Sequence, residues 1–360
     1  MKPWKDTAYL FHGSRKILTF DLAQEKWISR TTRFNIPGKS WPYLHDTLID
    51  YGMEIYNGKM YIFGGQDGRR QLGCNIFMCL DLEALSWEWL SGTTQPTPTY
   101  NSPMLRVHPI TWILPSEDRL FIMYGNANRI GEKVSNPTGP HGADCDYTYE
   151  DIWSYHIPRK SWTREKARGN YPSPRTEFSA IYNERMDRVV AFGGYCGTTN
   201  TYLPGRDVNL NFAYYADTYT WHPKTRKWAQ VLTRGFPTYR ARGRLLFDTG
   251  SGKTYLFGGY TNTEFAPGKH PYSRAFNDLW ELKLEVEDGE LADEERTAVM
   301  GPWGTCFHCG KVGIWRMCGG SCLGVVRYCS GECGRKAWGE HKLMHGCVNN
   351  PREQAVRPRK

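Results

Sequence analysis

The 360-residue chain contains no run of about 18 uninterrupted apolar residues, and its opening stretch MKPWKDTAYLFHG has no apolar segment of signal-peptide length. These absences argue against a membrane-spanning or secreted chain and point to the cytosol or nucleus. A disulfide framework is also disfavoured: the eleven cysteines are odd in number, and seven of them lie between Cys306 and Cys347. Strong charge of one sign is missing. The formal net charge of +9 is a modest excess for this length, and basic residues are scattered except near the C-terminus and in the tail PREQAVRPRK. That distribution disfavours nucleic acid as a partner, and no membrane contact is expected. His156, His222 and His270 stand alone, with no paired spacing suited to a metal in a catalytic site.

Aromatic residues and glycine are abundant instead, with 14 Trp, 22 Tyr, 15 Phe and 37 Gly. Such a composition suits short β-strands joined by tight turns. Four segments align without gaps: DLAQEKW (21–27), DLEALSW (81–87), HIPRKSW (156–162) and HPKTRKW (222–228). Upstream of them come YLFHG ending at Gly13, YIFGG at Gly65, IMYG at Gly125 and VAFGG at Gly194. A fifth copy, YLFGG at Gly259, leads into NDLWELKLE and lacks the closing Trp. Inside the copies the pattern is β. In GMEIYNGKMYIFGG, the pair Asn57-Gly58 between two strand-like runs predicts a type I′ hairpin. The glycine pair ends the second strand, where a side chain would obstruct a close backbone approach. Asp151, Asp217 and Asp278 open the third strand of their copies.

The double glycine, the aromatic third strand and the Trp that follows resemble kelch repeats, over roughly Tyr9 to Glu285. The resemblance implies a mainly β fold: a kelch-type β-propeller with five recognisable repeats and five or six blades, in which each Trp packs between blades. Closure is open at this point, since the last blade either lacks its outer strand or borrows one from the N-terminus near Trp4. Long insertions fall between the second and third strands at 126–150, 197–216 and 261–277. Equivalent positions in a propeller open on one face, so the insertions should build one rim. Their mixture of Tyr, Arg, Asn and Gly suits protein recognition, with Arg129, Tyr147, Tyr202, Arg206, Tyr272 and Arg274 as candidate contacts.

Beyond residue 300 the ligand-type residues read CFHC, CGGSC, CSGEC and HKLMHGC. So many soft or borderline ligands in so short a span make two tetrahedral zinc sites the simplest explanation, with metal replacing a missing apolar core. The order resembles the MYND zinc finger, including the Tyr328-Cys329 step, the basic helix-like GECGRKAWGEHK and Trp338 shortly before His341. In that family the ligand pairs interleave. The resemblance therefore implies one zinc on Cys306, Cys309, Cys329 and Cys333, and a second on Cys318, Cys322, His341 and Cys347. His345 is the alternative last ligand, because it stands at the family's usual spacing. The second pair is one residue wider than usual, which Gly319-Gly320 can absorb.

The organisation expected is a propeller over 1–285, an acidic linker over 286–300, a two-zinc finger over 301–350 and a basic tail over 351–360. The function expected is a non-enzymatic protein–protein adaptor that takes no small-molecule substrate. Its propeller loop face would bind one protein; its finger, through Trp315 and Trp338, would bind another, such as a proline-containing peptide. The alternatives are a kelch-fold enzyme, by resemblance to copper oxidases and iron-dependent specifier proteins, and a nucleic-acid-associated regulator.

Overall fold

The structure, a computed structural model, describes residues 1–44, 47–67, 74–93, 101–128, 146–197, 201–203, 208–210, 212–231, 237–264, 272–284, 304–309, 311–313, 315–320, 326–345 and 347–348. Residues 1–284 form five antiparallel blades. Blade 1 orders Lys2–Trp4, Thr7–Leu10, Lys16–Asp21 and Lys26–Thr31 from inside to outside. Blade 2 uses Ile49–Tyr56, Lys59–Gln66, Phe77–Asp81 and Ser86–Ser91. Blade 3 uses Ile110–Leu114, Arg119–Met123, Ile152–His156 and Ser161–Glu165. Blade 4 uses Ser179–Asn183, Arg188–Phe192, Thr218–His222 and Lys227–Val231. Blade 5 has three strands among the described residues, Arg244–Asp248, Lys253–Phe257 and Leu279–Leu282. The N-terminal strand Lys2–Trp4 is the innermost strand of blade 1. It is therefore not the loan to the last blade that was one of the two expected ways of closing the ring.

Turn chemistry sets the register. Asn57 and Gly58 take φ of 48° and 70°, as a type I′ hairpin requires. Each turn between third and fourth strands is capped by the residue at the head of the repeated segment. Asp21 and Asp81 accept backbone N–H bonds through Oδ1, and His156 and His222 accept theirs through Nδ1. The two histidines are thus turn caps, consistent with a structural role.

Within blades 3, 4 and 5 a repeated spoke ties the segment before the innermost strand to the head of the third strand. Arg106, Arg175 and Arg240 are almost fully buried and reach Asp151, Asp217 and Asp278, the residues that open the third strands, at 2.5–2.6 Å. Each guanidinium also donates to a carbonyl at the end of the second strand: Tyr124, Gly193 or Gly258. Blade 2 substitutes an apolar pair, with buried Leu48 in the place of the arginine and buried Ile76 in the place of the aspartate. The glycine pairs obey the expected steric rule. A Cβ on Gly64 would lie 2.6 Å from the Arg106 carbonyl oxygen, and one on Gly193 2.7 Å from that of Arg240.

Apolar clusters fill the boundaries between consecutive blades. Trp87, Trp162 and Trp228 pack against the preceding blade, as the repeat predicted; Trp27 departs from the pattern and is 53% exposed. Near the C-terminus, two short ribbons, Gly304–Thr305 with Val312–Gly313 and Arg316–Met317 with Arg327–Tyr328, precede the helix Gly331–His345. The helix starts where the Ser330 hydroxyl accepts the Cys333 N–H at 3.2 Å. Among the described residues no helix is long and apolar enough to cross a membrane.

Candidate functional site

Two regions concentrate chemistry. The first lies where the chain passes from the spoke arginines into the innermost strands. Two residues after each spoke position, and each with positive φ, come Asp50, His108, Glu177 and Arg242, from blades 2, 3, 4 and 5. They converge on one another. His108 Nδ1 is 3.4 Å from Asp50 Oδ1, and its Nε2 is 3.3 Å from Glu177 Oε1. Arg242 Nη2 lies 3.0 Å from both Asp50 Oδ1 and Glu177 Oε1. Burial works against the Arg242 charge, but Glu177 and Asp50 outweigh it and raise the guanidinium pKa further. The Tyr260 hydroxyl donates to Glu177 Oε2 at 2.7 Å; burial, then this carboxylate, pushes the phenol pKa up and keeps it a donor.

The insertions are anchored to the same backbone. Each begins a hairpin: Asn126–Asn128 with Asp146–Thr148, Tyr195–Cys196 with Ala213–Tyr214, and Tyr260–Glu264 with Tyr272–Ala275. Thr201–Leu203 with Val208–Leu210 extends the second. The first residue of each hairpin exchanges backbone bonds with the residue preceding an axial side chain: Val107 with Asn126, Thr176 with Tyr195, Ala241 with Tyr260, all at 2.7–2.9 Å. The described bases of the three insertions therefore start beside the axial cluster, in blades 3, 4 and 5. A strip of half-buried rings runs across blades 4 and 5, from Phe212 and Tyr195 through Tyr214 to Tyr260, with centroids 5.1–6.1 Å apart.

Of the candidate rim contacts, Arg129 and Arg206 lie outside the described residues. Tyr147, Tyr202 and Tyr272 are on hairpin strands. Arg274 is exposed, its guanidinium 5.3 Å from the Phe276 ring. The axial quartet and the tyrosine strip were not singled out from the sequence. A signal was available, because His108, Glu177 and Arg242 each follow an arginine by two residues just before an innermost strand.

The second region is the cysteine cluster. Cys306, Cys309, Cys329 and Cys333 bring their sulfurs within 4.8 Å of one another, and Cys318, His341 and Cys347 form a second such group. Cys322 lies outside the described residues. Sulfur pairs sit 3.6 Å apart for Cys309–Cys329, 3.5 Å for Cys329–Cys333 and 3.8 Å for Cys318–Cys347. Thiolates bound at about 2.3 Å to a tetrahedral zinc would be separated by about 3.8 Å, so the spacing fits such an ion. Burial opposes ionisation of Cys306, yet backbone N–H groups of Cys309, Cys329 and His308 bring its thiol down to about 6. Cys329, hydrogen-bonded to the Cys333 sulfur, is pushed up to about 12. The group thus readily releases a first proton and resists releasing more, a penalty that a bound cation would remove.

In the second group His341 is 0% exposed and Cys347 1%. The Gly320 N–H points at the Cys318 sulfur at 3.4 Å, and a Cβ on Gly320 would meet the Cys347 sulfur at 2.6 Å. Glycine is thus needed at this position for contact, beyond accommodating the longer spacing. His345 lies in the last turn of the helix. Trp338 packs on His341 at 5.5 Å, while Phe307 and Tyr328 approach the same imidazole edge-on. Trp315, half-buried, donates its indole N–H to the Lys311 carbonyl at 2.7 Å. Both tryptophans proposed for partner contact therefore also have internal contacts.

Blades, spokes and rim together define a five-bladed kelch-type propeller. The chain belongs to the kelch-repeat family: residues 6–194 match the KLHDC2/KLHL20/DRC7 Kelch-repeats domain. It is 21% identical over 261 residues to host cell factor 2 of Homo sapiens, covering 69% of this chain and 28% of that protein. It is 30% identical over 114 residues to dynein regulatory complex subunit 7 of Chlamydomonas reinhardtii, covering 31% and 8%. The chain thus spans less than a third of the length of these relatives. Among solved structures it aligns with that of YjhT over 74% of this chain and 72% of the other, at a TM-score of 0.44 and 12% identity.

Proposed function

We propose that the protein is a non-enzymatic adaptor, active in the cytosol or nucleus, whose propeller rim grips one protein and whose C-terminal module grips another. The observation that carries this reading is the rim itself. Hairpins bonded to the axial backbone present tyrosines in blades 4 and 5 beside a polar cluster whose groups already contact one another, an arrangement suited to contact area more than to bond-making. The kelch relatives support a protein-interaction role; one of them is named as a subunit of a complex. The C-terminal module is read as a MYND-type finger holding two zinc ions. Cys306, Cys309, Cys329 and Cys333 would hold one, and Cys318, Cys322, His341 and Cys347 the other. Residues 286–300 serve as an acidic linker between modules spanning 1–285 and 301–350, with 351–360 as a basic tail.

Affinity capture with the intact chain tests this proposal. Tyr214→Ala should lose one set of bound proteins, and Trp315→Ala a different set. Identical losses would mean one continuous surface, and turnover of a small molecule by the purified protein would overturn the adaptor reading. The last ligand is tested separately by metal analysis. Cys347→Ala should weaken zinc retention at the second site far more than His345→Ala, because the Cys347 sulfur already stands at the Cys318 sulfur. The opposite ranking would transfer the role to His345.

A further inference from the structure

Three of the four filled blade boundaries are built alike around a tryptophan, and they show what one open pair of surfaces is shaped to meet. Trp87 of blade 2 packs on Phe11 of blade 1 at 5.1 Å, Trp162 of blade 3 on Phe77 of blade 2 at 5.0 Å, and Trp228 of blade 4 on Trp112 of blade 3 at 6.0 Å. On the receiving side of the second boundary, Tyr61, Phe63 and Phe77 are only 3%, 1% and 0% exposed.

Blade 1 carries the donating surface. Its register aligns Ala8, Phe20 and Trp27, as blade 2 aligns Met60, Leu80 and Trp87. Phe20 stacks on Trp27 at 5.0 Å, yet Trp27 remains 53% exposed. Blade 5 carries the receiving surface, with Tyr255, Phe257 and Leu279 where blade 2 has Tyr61, Phe63 and Phe77. Phe257 is 48% exposed, Leu279 63%, and neighbouring Leu246 49%.

Charge is complementary as well. In two of the filled boundaries a basic turn residue reaches an acid of the preceding blade, Lys160 to Glu88 and Arg226 to Glu117, while blade 2 carries Leu85 at that turn. Blade 1 has Glu25 at that turn position, with the sign reversed, and blade 5 carries Lys253 at the start of its second strand, 48% exposed and bridged to Glu281 of its own blade at 3.3 Å, a pair that Glu25 would join.

We propose that blade 1 of one molecule docks its Phe20–Trp27 surface onto the Tyr255–Phe257–Leu279 surface of blade 5 in a second copy, so that the protein self-associates head to tail. Such a contact is heterologous: each molecule contributes one donating and one receiving face, and assembly grows with concentration. Partner binding at the rim is independent of it, because neither surface includes a rim hairpin.

Sedimentation velocity of the intact chain over a wide concentration range tests the proposal. The wild type should shift from monomer to dimer and larger species. Trp27→Glu and Phe257→Glu should each sediment as a monomer, and an equimolar mixture of the two should recover a dimer and nothing larger. In that mixture each chain retains the one intact face that the other needs. Thermal melts check that both variants fold; Leu279→Glu replaces Phe257→Glu if the latter does not. A wild type that stays monomeric at every concentration would overturn the proposal and leave the faces to an intramolecular or foreign partner. So would an associating wild type whose two variants fail to complement each other.

Discussion

Arg106→Leu should destabilise the propeller by about 3–5 kcal/mol, since it strands the Asp151 carboxylate beside a lost counter-charge. The corresponding fall in Tm, measured by calorimetry, is roughly 5–15 °C. Arg106 is 0% exposed and makes a bidentate pair with Asp151 at 2.6 and 3.0 Å, besides holding the Tyr124 carbonyl. The informative experiment adds the second change. Arg106→Leu with Asp151→Ile should recover most of the loss, because blade 2 already holds Leu48 and Ile76 in these places and packs them into its core. No recovery would show that the spoke works through its carbonyl bonds more than through neutralised charge. Dependence on pH follows the same logic. Hydrogen bonds from Arg240 hold the Asp278 carboxyl down at about 2 despite partial desolvation. Its folded pKa is depressed, so its stabilising contribution is present above the unfolded value near 3.9 and is lost as pH falls towards about 2. Acid denaturation should therefore begin below about pH 4, and Asp278→Asn should flatten that part of the curve.

Cys329→Ser should reduce the zinc content of the purified chain from two ions to one or none and unfold the region beyond residue 304, with the β signal of the propeller unchanged in circular dichroism. The size of the effect comes from the scarcity of other support. Besides the cysteines and His341, the described residues beyond 304 include only Val326 and Ala337 below 4% exposure, whereas metal binding can contribute on the order of 10 kcal/mol to a small domain. Gly320→Ala is the milder counterpart. Its Cβ would press on the Cys347 sulfur, so zinc should be lost from the second site while the first is retained. Metal analysis with a chelator challenge reads both. A chain without zinc that keeps an ordered finger would refute the two-zinc assignment.

Much of this architecture was legible because repeats report the same local physics several times. The double glycines and the Asn57-Gly58 turn each answer a short-range requirement: positive φ, or a carbonyl too close for a Cβ. The cysteine spacing was legible for a similar reason, since ligand type and interval carry the metal chemistry directly. The spoke arginines, the axial quartet and the tyrosine strip were harder to see. Their partners are tens of residues away, as with Arg242 and Asp50, 192 positions apart, and no local pattern announces that separation.

By itself the sequence determined a mainly β kelch-type repeat, the placing of its insertions between second and third strands, and a cysteine-rich C-terminal group with metal-ligand spacing. Tertiary structure alone decided that five blades form, with the N-terminal strand innermost in the first, and that Asp50, His108, Glu177 and Arg242 meet at the axis. It also decided that Trp27 stays exposed while Trp87 and Trp228 are buried. The same tryptophan in the same local segment has a different environment because burial depends on which blade stands opposite. A repeat specifies its own face, but only the assembled ring supplies the face that covers it.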